Sequence, residues 1–238
     1  MKAVILAGGQ GRRLKPYTLV LPKPLVPVGD VPIMEIIIRQ LAYYGFKEIY
    51  LACGHLVELI RAYFKDGEKW GVRLHYSVEE KPLGTAGPLK LLKNELDEPF
   101  LVINGDILTD MNFLEIFQNH IVQGKLMTIG ITEHKTKLEY GVVHLYENNV
   151  VDYEEKPEVT HYVSMGVYVF APYVLKYIEE GEKMDIPHLI HRFLDEDVSI
   201  NSFIYRGLWF DIGNREDFEK ALESFEKNRG LYLKEQGQ

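Results

Sequence analysis

Apolar positions along the chain come in short runs whose period switches between that of a strand and that of a helix. Residues 2–7 (KAVILA) are almost wholly apolar and run into Gly8-Gly9, the pattern of a strand buried on both faces of a parallel sheet. Residues 8–27 are rich in Gly, Pro, Lys and Arg and predict a long loop; inside a compact domain such loops are usually functional. From Ile33 the apolar residues fall at helical spacing (Ile36, Ile37, Leu41), with Gly45 as the stop signal. The alternation then continues. Strands are predicted over 47–52, 72–78, 100–103 and 125–131, and helices over 55–64, 85–96 and 112–122, the last opened by Asn112 and Glu115 at capping-box spacing. Strands alternating with helices predict an α/β fold: a Rossmann-like, mixed but mostly parallel sheet with helices on both faces.

After residue 140 the pattern changes. Short strands are predicted over 141–145, 150–154 and 162–170, with Asn148-Asn149 as a hairpin signal. Helices over 173–180 and 186–194, a strand over 199–205 and an amphipathic helix over 215–227 follow, and the polar tail after Arg229 is expected to fray. No internal repeat or linker-like stretch divides the chain. It reads as one domain, 1–238, in two halves, about 1–135 and about 136–230.

The 238 residues carry 27 basic and 35 acidic side chains, a formal net charge of −8. That balance argues against nucleic acid and anionic membrane as partners, since non-specific binding to either is driven by positive charge. No secretory signal and no apolar stretch of membrane length is visible, which predicts a cytoplasmic protein. A homo-oligomer is compatible with everything above. The single cysteine, Cys53, reads as a small apolar residue at a strand end. The 8 histidines show no metal-ligand spacing.

Against this acidic background, Arg12, Arg13, Lys15 and Lys23 crowd one glycine-rich loop. Glycines after a first strand let backbone N–H groups turn toward an anion, and arginine grips phosphate through paired hydrogen bonds. The loop is neither a P-loop nor a dinucleotide fingerprint, because Leu14 stands where the third glycine would be. Its composition fits a polyphosphate cradle or a solvated basic loop.

The order of motifs separates these alternatives. Leu6-Ala7-Gly8-Gly9-Gln10-Gly11-Arg12-Arg13-Leu14-Lys15-Pro16, followed by Pro22-Lys23-Pro24-Leu25, resembles the signature loop of the sugar-1-phosphate nucleotidyltransferases. Further segments similar to that family follow in order: Glu79-Glu80-Lys81-Pro82-Leu83-Gly84-Thr85-Ala86-Gly87, Asn104-Gly105-Asp106, Glu155-Lys156-Pro157, Ser164-Met165-Gly166 and Trp209-Phe210-Asp211-Ile212-Gly213. The chain departs from the family at Arg12, where Thr or Ser is usual. It also ends soon after the last motif, so the C-terminal repeat domain of many members is not expected.

The resemblance implies a nucleotide-diphospho-sugar transferase fold and a division of labour between a nucleotide-binding half, about 1–135, and a sugar-phosphate-binding half, about 136–230. Arg13 and Lys23 would be catalytic. Leu6, Ala7, Gly8, Gly9, Gly11, Arg13, Glu79, Glu80, Gly84 and Asp106 would bind a nucleoside triphosphate. Gly141, Glu155, Lys156 and Gly166 would bind a sugar 1-phosphate, and Asp106 with Asp211 would hold Mg²⁺. From the residues alone, Asp106 also fits a helix cap, Glu155-Lys156 a solvated turn, and Glu79-Glu80 a solvated strand end. Family members that use dTTP tend to place Gln at the position of Glu79. A carboxylate accepts hydrogen bonds only, which favours guanine, with N1–H and N2–H₂ side by side. The segment resembles mannose-1-phosphate guanylyltransferases most. The alternatives are a UTP- or dTTP-dependent glucose-1-phosphate nucleotidyltransferase and, more remotely, a non-catalytic regulatory subunit that binds nucleotide sugars.

Overall fold

The structure is a computed structural model, and it describes residues 1–9, 11, 14, 18, 20–54 and 56–234. Its centre is the first predicted strand. β1 (Lys2–Ala7) pairs in parallel with β4 (Glu48–Cys53) on one side and β6 (Phe100–Asn104) on the other, and β4 pairs in parallel with β5 (Arg73–Val78). Beyond β6 the direction reverses. β11 (Glu158–Phe170) runs antiparallel to both β6 and β8 (Met127–Lys137), and β12 (Asn201–Tyr205) closes the edge parallel to β8. The seven-stranded order is β12-β8-β11-β6-β1-β4-β5, the mixed, mostly parallel sheet that the alternation predicted.

Side chains alternate across this sheet and divide the core in two. Ala3, Ile5 and Ala7 of β1 join the cluster under α1 (Ile33–Tyr43), α2 (Val57–Phe64), α4 (Phe113–Gln123) and α6 (Arg215–Lys227). Val4 faces the other cluster, built with α3 (Gly87–Lys90), the 3₁₀ helix Pro172–Tyr177 and α5 (Ile186–Asp195). Burying each such branched side chain contributes about 1.5–3 kcal/mol, so helices are needed on both faces. No helix among the described residues is long and apolar enough to cross a membrane.

Several elements depart from the sequence reading for identifiable reasons. The helix expected over 85–96 is only four residues, Gly87–Lys90. Leu89, Leu92 and Leu96 do point into the core, but the chain continues mainly through i→i+3 bonds such as Leu92 N to Leu89 O at 3.1 Å. The tail after Arg229 does not fray at once. α7 (Arg229–Tyr232) buries Tyr232 against Phe225, and Arg229 pairs with Asp30 at 2.6 Å. The hairpin between β9 (Val142–Tyr146) and β10 (Asn149–Glu154) turns on Glu147 and Asn148, both at positive φ, as a two-residue type I′ turn requires. Asn112 caps α4 as expected, accepting from Leu114 N at 3.0 Å, although Glu115 meets its side-chain amide and not its backbone.

Short pairings complete the frame. β2 (Pro27–Val28) pairs with β3 (Val31–Pro32), and β7 (Ile107–Thr109) pairs antiparallel with β13 (Trp209–Asp211). The second pairing fastens the last motif to the Asn104-Gly105-Asp106 turn, since Ile212 N also donates to Asp106 O at 3.0 Å.

Candidate active site

Four parallel strands, β5, β4, β1 and β6, end on the same side of the sheet. In open α/β sheets that carboxyl edge is where ligands bind. Leu6, Ala7 and Gly9 from the end of β1 meet Gly105 and Asp106 from the end of β6 in one cavity, together with Gly11, Lys23 and Gly213. The two strand ends are joined by Gly105 N donating to Leu6 O at 2.9 Å. Leu6, Gly8, Gly9 and Asp106 also line an adjoining cleft of about 500 Å³, together with Glu79, Gly84, Thr85, Lys183 and Asp185. Residues quoted from four separate motifs thus line two adjoining clefts.

Lys23 is placed by a 3₁₀ turn, Lys23–Leu25, closed by Leu25 N on Pro22 O and anchored by the buried Pro24. Its ammonium pairs with Asp106 Oδ2, and both side chains are mostly enclosed, at 13% and 21% exposed. Gly11 supports this lysine from behind, its Cα packing toward Lys23 and Thr18 while Thr18 Oγ1 donates to Gly11 O at 2.7 Å. Arg13, with Arg12 and Lys15, lies outside the described residues.

The two glutamates separate. Glu79 is half-buried; its Oε2 accepts from Leu83 N at 2.9 Å, and its Oε1 lies so close to Gly8 and Gly54 that an added Cβ on either would approach to 3.0 or 2.9 Å. Glu80 is exposed and is not among the residues that line the cleft. Gly84 has φ of +81°, and a Cβ there would meet Met184 O at 2.5 Å, so the close approach of loop 79–87 to residues 182–186 requires glycine.

That approach is a reciprocal clasp. Thr85 N donates to Asp185 Oδ1 at 3.0 Å, and Ile186 N at the start of α5 donates to Thr85 Oγ1 at 2.8 Å. Met184 N donates to Leu83 O, and Met184 O accepts from Ala86 N and Gly87 N. Sequence reasoning missed Lys183 and Asp185 as cleft residues. Asp185 before Ile186-Pro187 signals a helix start, but nothing in the spacing reveals its partner 100 residues earlier.

The sugar-phosphate candidates form a second group. Gly141 lies against the Tyr153 ring, and the Tyr153 hydroxyl donates to Glu155 Oε2. Lys156 follows at φ +48° in the turn before β11, ahead of the buried Pro157. These residues sit on the exposed ribbon of β9 and β10 and are not among those lining the two clefts above. Gly166 connects the groups. It has φ of +70° at an irregularity in β11, and a Cβ there would collide with the Asn104 side chain, which lines the cleft.

Asp106 and Asp211 are brought together through their backbones. Asp211 pairs with Ile107 across β13 and β7, and Gly213 lines the cavity with Asp106 and Lys23. The Asp211 side chain itself lines a neighbouring cleft with Trp209, Glu133 and Lys220. Among the described residues no cluster of three or more His, Cys, Asp or Glu forms a ready metal cage. By ligand type Asp106 and Asp211 are hard carboxylates, of which Mg²⁺ takes one or two while phosphate oxygens and water complete its shell. In the structure Asp106 pairs with Lys23 and Asp211 lines the separate cleft, so only their backbones adjoin.

Comparison with known proteins agrees with this architecture. Residues 2–228 match the model of the family described as nucleotidyl transferase. The mannose-1-phosphate guanyltransferase of Yarrowia lipolytica is 39% identical over 230 residues, covering 92% of this chain and 62% of the relative. The UTP–glucose-1-phosphate uridylyltransferase of Synechocystis is 34% identical over 242 residues, covering 93% and 62%. The chain therefore spans a little under two thirds of the length of these relatives. A solved structure of a proposed glucose-1-phosphate thymidylyltransferase from Bacillus anthracis superposes with a TM-score of 0.77 over 100% of this chain and 97% of the other, at 24% identity, which establishes the shared fold.

Proposed function

The chain belongs to the nucleotidyl transferase family, and from that premise we propose that it transfers the nucleotidyl group of a nucleoside triphosphate, GTP by preference, to a sugar 1-phosphate, releasing pyrophosphate. Mannose 1-phosphate or a close relative is the proposed acceptor. The observation that carries the reading is the pair of adjoining clefts at the carboxyl edge of the sheet, which share Leu6, Gly9 and Asp106, with Lys23 lining one and Glu79 and Gly84 lining the other.

The chemistry needs little proton transfer. A sugar 1-phosphate already presents an anionic oxygen to the α-phosphorus, so the barrier is repulsion between anions and charge on the departing pyrophosphate. Backbone N–H groups around Gly8, Gly9 and Gly11 suit the phosphates. Lys23 stabilises charge at the reacting phosphates, and Arg13, by resemblance, steadies the leaving pyrophosphate. Asp106 and Asp211 would hold Mg²⁺, which when bound neutralises phosphate charge and fixes the α-phosphate. Glu79 accepts from the base edge, and the exposure of Glu80 leaves that role to Glu79 alone. Lys156 and Glu155, both exposed on the outer ribbon, take the sugar's phosphate and hydroxyls, with the Gly141 backbone beside them.

The test is pyrophosphate release over a grid of nucleoside triphosphates and sugar 1-phosphates. The expected result is turnover with GTP and mannose 1-phosphate above every pyrimidine pair. The relationship to the Synechocystis uridylyltransferase favours UTP with glucose 1-phosphate as the second reading. A preference for that pair would overturn the guanine assignment while leaving nucleotidyl transfer in place.

A further inference from the structure

Among the described residues that line the two clefts, Lys183 is a cation that neither the motifs nor the proposed mechanism uses. Lys183 lines the same cleft as Glu79, Gly84 and Thr85. Its position follows from a continuous hydrogen-bond chain. Glu79 Oε2 accepts from Leu83 N at 2.9 Å, and Leu83 O accepts from Met184 N at 2.9 Å. Residues 183–185 are therefore fastened to the loop that holds Glu79.

The other charged groups around this cleft are engaged. Asp185 accepts from Thr85, and Asp106 carries Lys23. Lys183 is exposed to the cleft, and among the described residues no carboxylate or carbonyl pairs with its ammonium. The cleft thus offers an acceptor, the Glu79 carboxylate, and a strong donor, the Lys183 ammonium, on segments joined by hydrogen bonds.

A nucleobase edge that complements this pair carries a donor beside an acceptor. Guanine presents N1–H and N2–H₂ to a carboxylate and O6 with N7 to a lysine. Adenine reverses the pattern, placing an amino group where guanine has O6. Building on the guanine reading above, we propose that Lys183 is a specificity-determining residue that donates to guanine O6 while Glu79 accepts from N1–H, so that the two together select GTP and reject ATP.

The experiment compares kcat/KM for GTP, ITP, ATP and UTP, with saturating mannose 1-phosphate, in wild type, Lys183→Met and Lys183→Arg. A hydrogen bond from a charged donor corresponds to about a 10- to 100-fold effect. Lys183→Met is expected to lose that factor with GTP and with ITP, which keeps O6, and to lose little with ATP, so that the GTP/ATP ratio collapses. Lys183→Arg should restore much of it, and the KM for mannose 1-phosphate should not move. An equal loss with all four nucleotides would make Lys183 a general phosphate cation and overturn the proposal. So would an unchanged profile in Lys183→Met when wild type prefers GTP. A wild type that prefers UTP overturns the guanine reading itself, and this inference with it, before any variant is compared.

Discussion

Replacing Asp185 by alanine tests how the cleft is held. In the structure the Asp185 carboxylate accepts from Thr85 N at 3.0 Å and stands 3.4 Å from Thr85 Oγ1. Alanine removes the acceptor and leaves a half-buried amide without its charged partner. Hydrogen bonds to charged groups contribute about 1.5–3 kcal/mol, and water can partly replace this one, so a loss of about 2 kcal/mol is expected. For a chain of this length each kcal/mol lowers Tm by about 2–4 °C, which places Asp185→Ala roughly 4–8 °C below wild type. Asp185→Asn keeps an oxygen acceptor and should lose about half as much. Because the clasp shapes loop 79–87, which carries Glu79 and Gly84 to the cleft, Asp185→Ala should also raise KM for the nucleoside triphosphate. The KM for the sugar phosphate should change less. Thermal melts followed by circular dichroism and steady-state kinetics read both effects. A Tm within about 1 °C of wild type, or equal rises in both KM values, would refute the reasoning.

Three further outcomes follow from other parts of the molecule. Asp106→Asn and Asp211→Asn should each reduce turnover by about a hundredfold or more, the scale of losing a several-kcal/mol electrostatic contribution, and near-normal turnover in a coupled pyrophosphate assay would remove that residue from the site. Burial pushes the Cys53 thiol up to about 12, so iodoacetamide at pH 7.5 should label it negligibly in the native protein and rapidly in denaturant; fast native labelling would contradict its placement at the buried end of β4. Burial also lowers the pKa of His120, whose Nδ1 lies 2.9 Å from Thr128 Oγ1. The unfolded chain then binds the proton first, so this histidine's share of stability is present above the unfolded pKa of about 6.5 and is lost as pH falls below it. The fall in Tm between pH 7.5 and 5.5 should be shallower in His120→Gln than in wild type, and an identical slope would count against the assignment.

The parts of this molecule that were legible in the sequence are those whose signal is local. β1 was readable because six consecutive residues alternate between two buried faces, and α1 because Ile33, Ile36, Ile37 and Leu41 share one face. Lys23 and Asp106 were found through motif order, and the structure joins them in an ion pair. What escaped notice depends on distant partners. The Thr85–Asp185 clasp links residues 100 apart. β7 and β13 are three residues each, too short for alternation to register. The polar composition of the tail predicts fraying and hides the buried anchor Tyr232. The difference between Glu79 and Glu80 is likewise invisible in sequence, since it arises from the approach of Gly8 and Gly54 to one carboxylate.

In the proposed reaction the phosphate oxygen of a sugar 1-phosphate attacks the α-phosphorus of GTP. Mannose 1-phosphate carrying ¹⁸O in its phosphate group tests this most directly. Incubated with unlabelled GTP, Mg²⁺ and the enzyme, and analysed by mass spectrometry, it should yield GDP-mannose that retains all of the label, together with unlabelled pyrophosphate. Label in the pyrophosphate, loss of label to water, or consumption of GTP with no labelled nucleotide sugar would contradict the account.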